Sequence, residues 1–132
     1  MILLDTNVLL WLRYGDRRLG RQARDSIDRA WQEDNLAVSV ISFWEVGMLV
    51  SKGRIHLPEG VPAWRQRQLE QGMIEIPLDG AAAVRAGLLP AMHGNPGDRL
   101  IIATALGGHE LMTADERILQ WPGDLSRVDA RV

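Results

Sequence analysis

Met1-Ile2-Leu3-Leu4-Asp5-Thr6-Asn7 opens the chain, and the step from consecutive aliphatic residues to an acid decides how the rest is read. A short run that is apolar without alternation is what a strand covered on both faces of a parallel sheet requires. The pattern recurs. Leu36 to Val40 leads to Ser42, Met73 to Leu78 leads to Asp79, Leu111 to Thr113 leads to Asp115, and Ser126 to Val132 is expected to supply a short last strand. Between these runs the apolar residues change period. Leu19, Ala23, Ile27, Ala30 and Trp31 fall on one face at 3.6 residues per turn, as do Phe43, Val46 and Val50. Ala81 to Leu89 and Leu100 to Leu106 read as two further helices, Pro62 to Gln71 as a polar surface one, and prolines 58, 62, 90 and 96 punctuate the connections. Strands alternating with helices predict a three-layer α/β/α sandwich around a short, mostly parallel sheet, as one domain over residues 1–132. Right-handed crossovers then align all strand ends of one polarity along one edge, where open sheets bind their ligands.

Length and composition agree with this reading. At 132 residues folding removes roughly two-thirds of the unfolded chain's surface from water, enough for a core without staples. A hydrophobic fraction of 46% with 24% charged residues excludes disorder and collagen-like repeats. The absence of cysteine excludes a disulfide framework, a thiolate metal site and a cysteine nucleophile, and favours a reducing compartment. Three apolar residues before Asp5 are too few for a signal-peptide core, and no window approaches the ~20 apolar residues of a membrane span. The expectation is a soluble, cytoplasmic protein with no membrane partner. A net charge of −2 argues against a strongly basic nucleic-acid footprint, unless a local acidic cluster masks a basic rim.

Four acids sit where such a cluster would form. Asp5, Glu45, Asp98 and Asp115 each lie where a strand gives way to a helix or in a helix's first turn. Taken singly, each is explained as a cap, since an acid there complements the helix dipole by about 0.3–1 kcal/mol. Ser42-Phe43-Trp44-Glu45 even fits a capping box, with Glu45 bonding back to the Ser42 amide. Taken together they cannot all be explained so. Two carboxylates ~4 Å apart repel by ~1 kcal/mol in water and ~4 kcal/mol at an effective dielectric near 20, and four acids make about six such pairs. Either some are protonated or they share a cation. With no cysteine, and no histidine in a zinc-like spacing with the acids, the donor set selects a hard ion, Mg²⁺ or Mn²⁺, and hence metal-assisted phosphate chemistry. Asp79 lacks any motif partner and reads as the cap of the Ala81 to Leu89 helix.

The opening heptapeptide, then Ser42-Phe43-Trp44-Glu45-Val46 followed by Gly53-Arg54-Ile55, then Pro96-Gly97-Asp98-Arg99-Leu100-Ile101-Ile102-Ala103, then Thr113-Ala114-Asp115-Glu116, together resemble the PIN domain. Within that family they resemble the ribonuclease toxins of the VapBC toxin–antitoxin type. Each motif alone is weak, but four in order across nearly the whole chain are specific. The resemblance implies a metal-dependent RNA endonuclease with Asp5, Glu45, Asp98 and Asp115 lining its site, a homodimer, and a cognate antitoxin whose tail occludes that site. Two departures stand out. Where the family often has Asp-Pro-Phe-Asp-Arg this chain has Asn95-Pro96-Gly97-Asp98-Arg99, so a neutral residue replaces the first acid. The basic residue common four places after the family's Glu is Leu49 here, with Lys52, the only lysine, as a candidate substitute.

Roles within the quartet follow from chemistry. Asp5, at the end of a strand, and Asp98, at a helix start, are the expected metal ligands. Glu45 has the longer arm and suits a water-mediated or general-base role, and Asp115 a second metal contact or orientation of the attacking water. Thr6, Asn7 and Thr113 are expected either to fix carboxylate orientation or to cap helices. Arg99 meets phosphate if its guanidinium points into the cleft. His56, His93 and His109 have no triad-like setting and read as structural, while Trp64, beside Arg65 and Arg67, either packs in the core or stacks on RNA. Two rival readings remain at this level: a phosphatase with Asp5 as nucleophile, weakened because its usual second acid is Asn7, and a non-catalytic RNA- or protein-binding module.

Overall fold

The computed structural model describes residues 1–132. The element order is β1 (Ile2–Leu4), α1 (Thr6–Tyr14), α2 (Arg21–Gln32), β2 (Leu36–Ser39), α3 (Val40–Ser51), α4 (Val61–Glu70), β3 (Ile74–Ile76), α5 (Gly80–Leu88), α6 (Pro96–Ala105), β4 (Glu110–Thr113), α7 (Glu116–Leu119) and β5 (Arg127–Asp129). The five strands form one sheet in the order β3-β2-β1-β4-β5, parallel throughout.

The opening heptapeptide sits at the centre of this sheet. Leu3 and Leu4 are fully buried and point to opposite faces, as the two-residue period of a strand demands. Leu4 joins Leu36, Val38 and Met112 in the larger core, where α1, α2, α3 and α4 contribute Val8, Leu9, Ile27, Val46 and Trp64. Leu3 joins Ala37 and Leu111 in the smaller one, closed by Ile101 and Ile102 of α6 and Ile118 of α7. These two cores make the α/β/α layers. From β1 the chain moves outward through β2 to β3, then returns to place β4 on the other side of β1. The strand order therefore reverses beside β1, and Asp5 follows directly at this switch point.

Several boundaries differ from those read in the sequence. Helix α1 was not marked out by any period, because its apolar residues are buried on more than one side; Asp5 caps it and Gly15, in the left-handed conformation at φ 61°, ends it. Helix α3 starts three residues earlier than the capping-box reading implies, with Ser39 as its cap, Oγ accepting from the Ile41 N–H at 3.0 Å. The third and last strands are shorter than the runs that predicted them. Helix α4 is not merely a polar surface helix. Trp64 is fully buried and meets Phe43 edge-on, with ring centroids 5.6 Å apart, so packing accounts for it. Asp79 caps α5 as read, accepting from the Ala82 N–H at 2.8 Å. No helix is long and apolar enough to cross a membrane.

Candidate active site

The site is built from the end of β1 outward. The Asp5 N–H donates to the Met112 carbonyl of β4 at 2.9 Å, which fixes the backbone where strand becomes helix. Asp5 is 5% exposed. Oδ1 accepts from the Thr6 N–H at 2.8 Å and Oδ2 from the Thr113 hydroxyl at 2.7 Å. Thr113 Oγ1 in turn accepts from the Asp115 N–H at 3.1 Å, which ties the ends of β1 and β4 together. Thr113 therefore orients Asp5, while the Thr6 hydroxyl turns the other way, donating to Glu45 Oε1 at 2.7 Å and lying 2.9 Å from Ser42 Oγ.

Glu45 is thus held from α1. It does not close a capping box, because it lies in the second turn of α3 and its oxygen is engaged by Thr6, so that reading is corrected. On its far side lies the first turn of α6. A Cβ on Gly97 would stand 2.6 Å from Glu45 Oε2, so the absence of a side chain there lets the carboxylate lie against the helix start. The cap of α6 is Asn95, whose Oδ1 accepts from the Asp98 N–H at 3.3 Å, and Asp98 follows in the first turn. Asp115 caps α7.

All four acids, from four places in the sequence, line one cleft of about 290 Å³, with Thr6, Asn7 and Asn95 beside them and Lys52, Arg54 and Arg117 on its walls. Burial, more than mutual repulsion, sets their proton affinities. Burial, the charges of Asp98 and Glu45 adding to it, pushes Asp5 from 3.8 up to about 6 against the two hydrogen bonds it accepts. Glu45 is raised by burial and by Asp98, and Asp98 by burial and by Asp115. Asp115 alone moves down: burial works to raise it, but the Arg117 hydrogen bonds outweigh that. Ligand atoms of His93, Asp98 and Asp115 lie within 4.8 Å of one another, the span of a single ion's coordination shell. The residues present therefore fit a divalent cation.

A family model described as the PIN domain matches residues 2–123. The chain belongs to the PIN-domain family. Among curated proteins it is 37% identical over 119 residues to Ribonuclease VapC22 of Mycobacterium tuberculosis, covering 89% of this chain and 88% of that one. Two solved structures are similar to it throughout. One, described as a toxin-antitoxin complex from Klebsiella pneumoniae, is 25% identical with a TM-score of 0.63, covering 97% of this chain and 96% of the other. The second, VapBC2 from Rickettsia felis bound to a DNA fragment from their promoter, has a TM-score of 0.73 at 19% identity over 98% of both chains, and supports the fold.

Two expectations for this PIN domain need correction. Arg99 does not face the cleft: its guanidinium donates to the carbonyls of Ala86, Gly87, Leu89, Met92 and His93 at 2.9–3.3 Å, holding the end of α5 and the following loop onto α6. His93, read as structural, instead has Nε2 3.2 Å from Asp98 Oδ2. No sequence spacing pairs a histidine with the acids, yet the fold brings this one beside them. The Asn95 N–H donates to His93 Nδ1 at 3.3 Å. Lys52 does reach the cleft, as Leu49 does. Arg117 was missed, although its place two residues after Asp115 was a signal that the two side chains would meet. The arginines at 18 and 24 are occupied by Asp16 and by the carbonyls of Asp16 and Leu19.

Proposed function

We propose that this PIN domain is an endoribonuclease, the toxin component of a toxin–antitoxin pair, which hydrolyses RNA phosphodiester bonds with Mg²⁺ or Mn²⁺ held among Asp5, Glu45, Asp98 and Asp115. The observation that carries the proposal is the meeting of these four acids in one cleft whose walls also bear Lys52, Arg54 and Arg117. Carboxylates bind no polyanion unaided, and cations alone need no buried acids. A wall carrying both suits a bridging divalent ion and a phosphate backbone. The name of the ribonuclease that is 37% identical supports the chemistry, and the descriptions of the structural neighbours support an antitoxin partner.

Asp5 and Asp98 are the proposed direct ligands of the ion. Such an ion would supply charge stabilisation at phosphoryl oxygen and lower the pKa of water near it. Glu45, held at one oxygen by Thr6, keeps the other for taking a proton from the attacking water, and Asp115 orients that water or shares the ion. Asn7, exposed at the cleft, and Asn95 offer neutral donors to the sugar-phosphate backbone. Residues 1–132 act as one domain in this reading, as a cytoplasmic homodimer. A phosphatase using Asp5 as nucleophile is less well supported, because the second acid such chemistry normally uses, two places on, is Asn7 here.

The test is a panel of single-stranded and hairpin RNAs incubated with the full chain in chelator, Mg²⁺ or Mn²⁺. The expected result is endonucleolytic cutting only with the ion, carrying 5′-phosphate ends, and suppressed by the product of a small open reading frame encoded next to this one. Cutting that survives chelation, or a phosphate trapped on Asp5, would overturn the proposal.

A further inference from the structure

Three cationic side chains line the cleft, and only one touches its acids. The Arg117 backbone N–H donates to Asp115 Oδ1 at 2.9 Å, and its guanidinium lies 3.4 Å from Oδ1 through Nε and 3.2 Å from Oδ2 through Nη2. The same Nη2 stands 3.9 Å from Asp98 Oδ2. Arg117 therefore straddles two of the three groups whose ligand atoms converge within 4.8 Å, and puts one positive charge beside both acids, of which Asp98 also meets His93.

An arginine two residues after an aspartate is not by itself informative here. Asp16 with Arg18 and Asp129 with Arg131 make the same local clip elsewhere on the surface. Three observations set Arg117 apart. Its second carboxylate, Asp98, comes from another helix and belongs to the cleft. Its side chain is 62% exposed and reaches no backbone carbonyl, unlike Arg99, so nothing but these two acids holds it. The other nearby acid, Glu116, is engaged by Arg131 at 2.8 Å and by Gln120 at 2.8 Å and offers it no alternative seat. An exposed ion pair is weak and easily exchanged. A divalent cation presents twice the charge to the same oxygens. If Asp98 and Asp115 held such an ion, its like charge would disfavour the guanidinium beside them, and a phosphodiester in the cleft would be the anion left for it. A guanidinium fork matches two phosphate oxygens at once, which an ammonium does not.

We infer that Arg117 has two successive partners: in the ion-free protein it neutralises Asp98 and Asp115 and competes with the divalent ion for them, and with that ion in place it turns onto the RNA phosphate. The second half rests on the nuclease reading given above, whereas the first stands on the cleft alone.

The two halves predict effects of opposite sign. The full chain and its Arg117→Ala and Arg117→Lys variants are titrated with Mn²⁺, followed by the resonance signal of the free ion, melted in chelator, and assayed at saturating Mn²⁺ on a pool of single-stranded RNA. Arg117→Ala is expected to bind Mn²⁺ about three- to fivefold more tightly, the size of one exposed ion pair. Its kcat/KM is expected to fall about a hundredfold, as for loss of one donor to a charge-bearing oxygen. Arg117→Lys keeps the charge without the fork, so its Mn²⁺ affinity stays near that of the wild type while cleavage remains at least about tenfold down. A purely structural clip would instead lower the melting temperature and leave Mn²⁺ affinity equal or weaker in Arg117→Ala, and that result overturns the competition. Cleavage within about threefold of wild type overturns the phosphate contact. If the wild type cuts no RNA at all, the nuclease reading and the phosphate contact fall together, and the Mn²⁺ titration alone decides the competition.

Discussion

Replacing Asp5 with asparagine is expected to stabilise the metal-free protein while slowing RNA cleavage by on the order of a thousandfold or more. The two effects share one cause. The folded chain holds the Asp5 proton up to about pH 6, whereas the unfolded chain releases it near 3.8. Between these values the folded state binds more protons, so stability falls as pH rises through this window and is fully present only below it. The difference amounts to about 3 kcal/mol above pH 7. Asparagine removes the buried charge but keeps a carbonyl oxygen for the Thr6 N–H and turns an amide donor toward Thr113, so most of the relief survives. In chelator at pH 8 the variant should gain about 1–2 kcal/mol, or about 3–5 °C in melting temperature for each kcal/mol. At pH 4 the gain should shrink toward zero, because the acid is then largely neutral in the folded wild type as well. Thermal melts across pH, with and without Mn²⁺, check both signs. A variant less stable than wild type at pH 8 in chelator would show that the buried Asp5 charge is no cost to the folded protein.

Arg99→Ala is expected to behave oppositely, with a large loss of stability and a small change in chemistry. Five backbone carbonyls at the end of α5 and in the following loop share one guanidinium, and several of them lie partly buried. Removing it leaves acceptors at the negative end of the helix dipole without their donor, at a cost of about 2–4 kcal/mol. Arg99→Lys should recover little, since an ammonium cannot span them. At a temperature where the variant stays folded, cleavage should remain within about tenfold of wild type. An unchanged melting temperature with activity lost would mean that Arg99 contacts the phosphate after all.

Arg99 also shows where sequence reading runs out. The strands were legible because aliphatic runs that end on an acid or serine have few alternatives, and a mostly parallel sheet follows from their alternation with helices, whereas the strand order that puts the switch point at Asp5 does not. The start of α3 was misplaced because Ser42-Phe43-Trp44-Glu45 has the form of a capping box. The strand β2 ends at Ser39, which caps the helix instead and leaves Ser42 buried beside Thr6. The four acids could be named from their motifs, but not the destinations of the long side chains. Arg99 follows Asp98 directly yet points the other way, because the loop after α5 folds back to meet it, and that loop has no periodic signature. The same loop brings His93 to Asp98. Arg117, by contrast, was within reach of local reasoning, since its backbone and side chain clip onto an acid two residues away.

Equilibrium binding of Mn²⁺ to the wild type, to Asp5→Asn, to Asp98→Asn and to a control, Asp28→Asn on the outer surface of α2, reads the shared pocket most directly. Saturable binding by the wild type and the control, weakened at least about tenfold by each of the other two substitutions, is the expected result. Equal binding by all four proteins would mean that these acids hold no common ion, and would remove the basis for reading the cleft as a nuclease site.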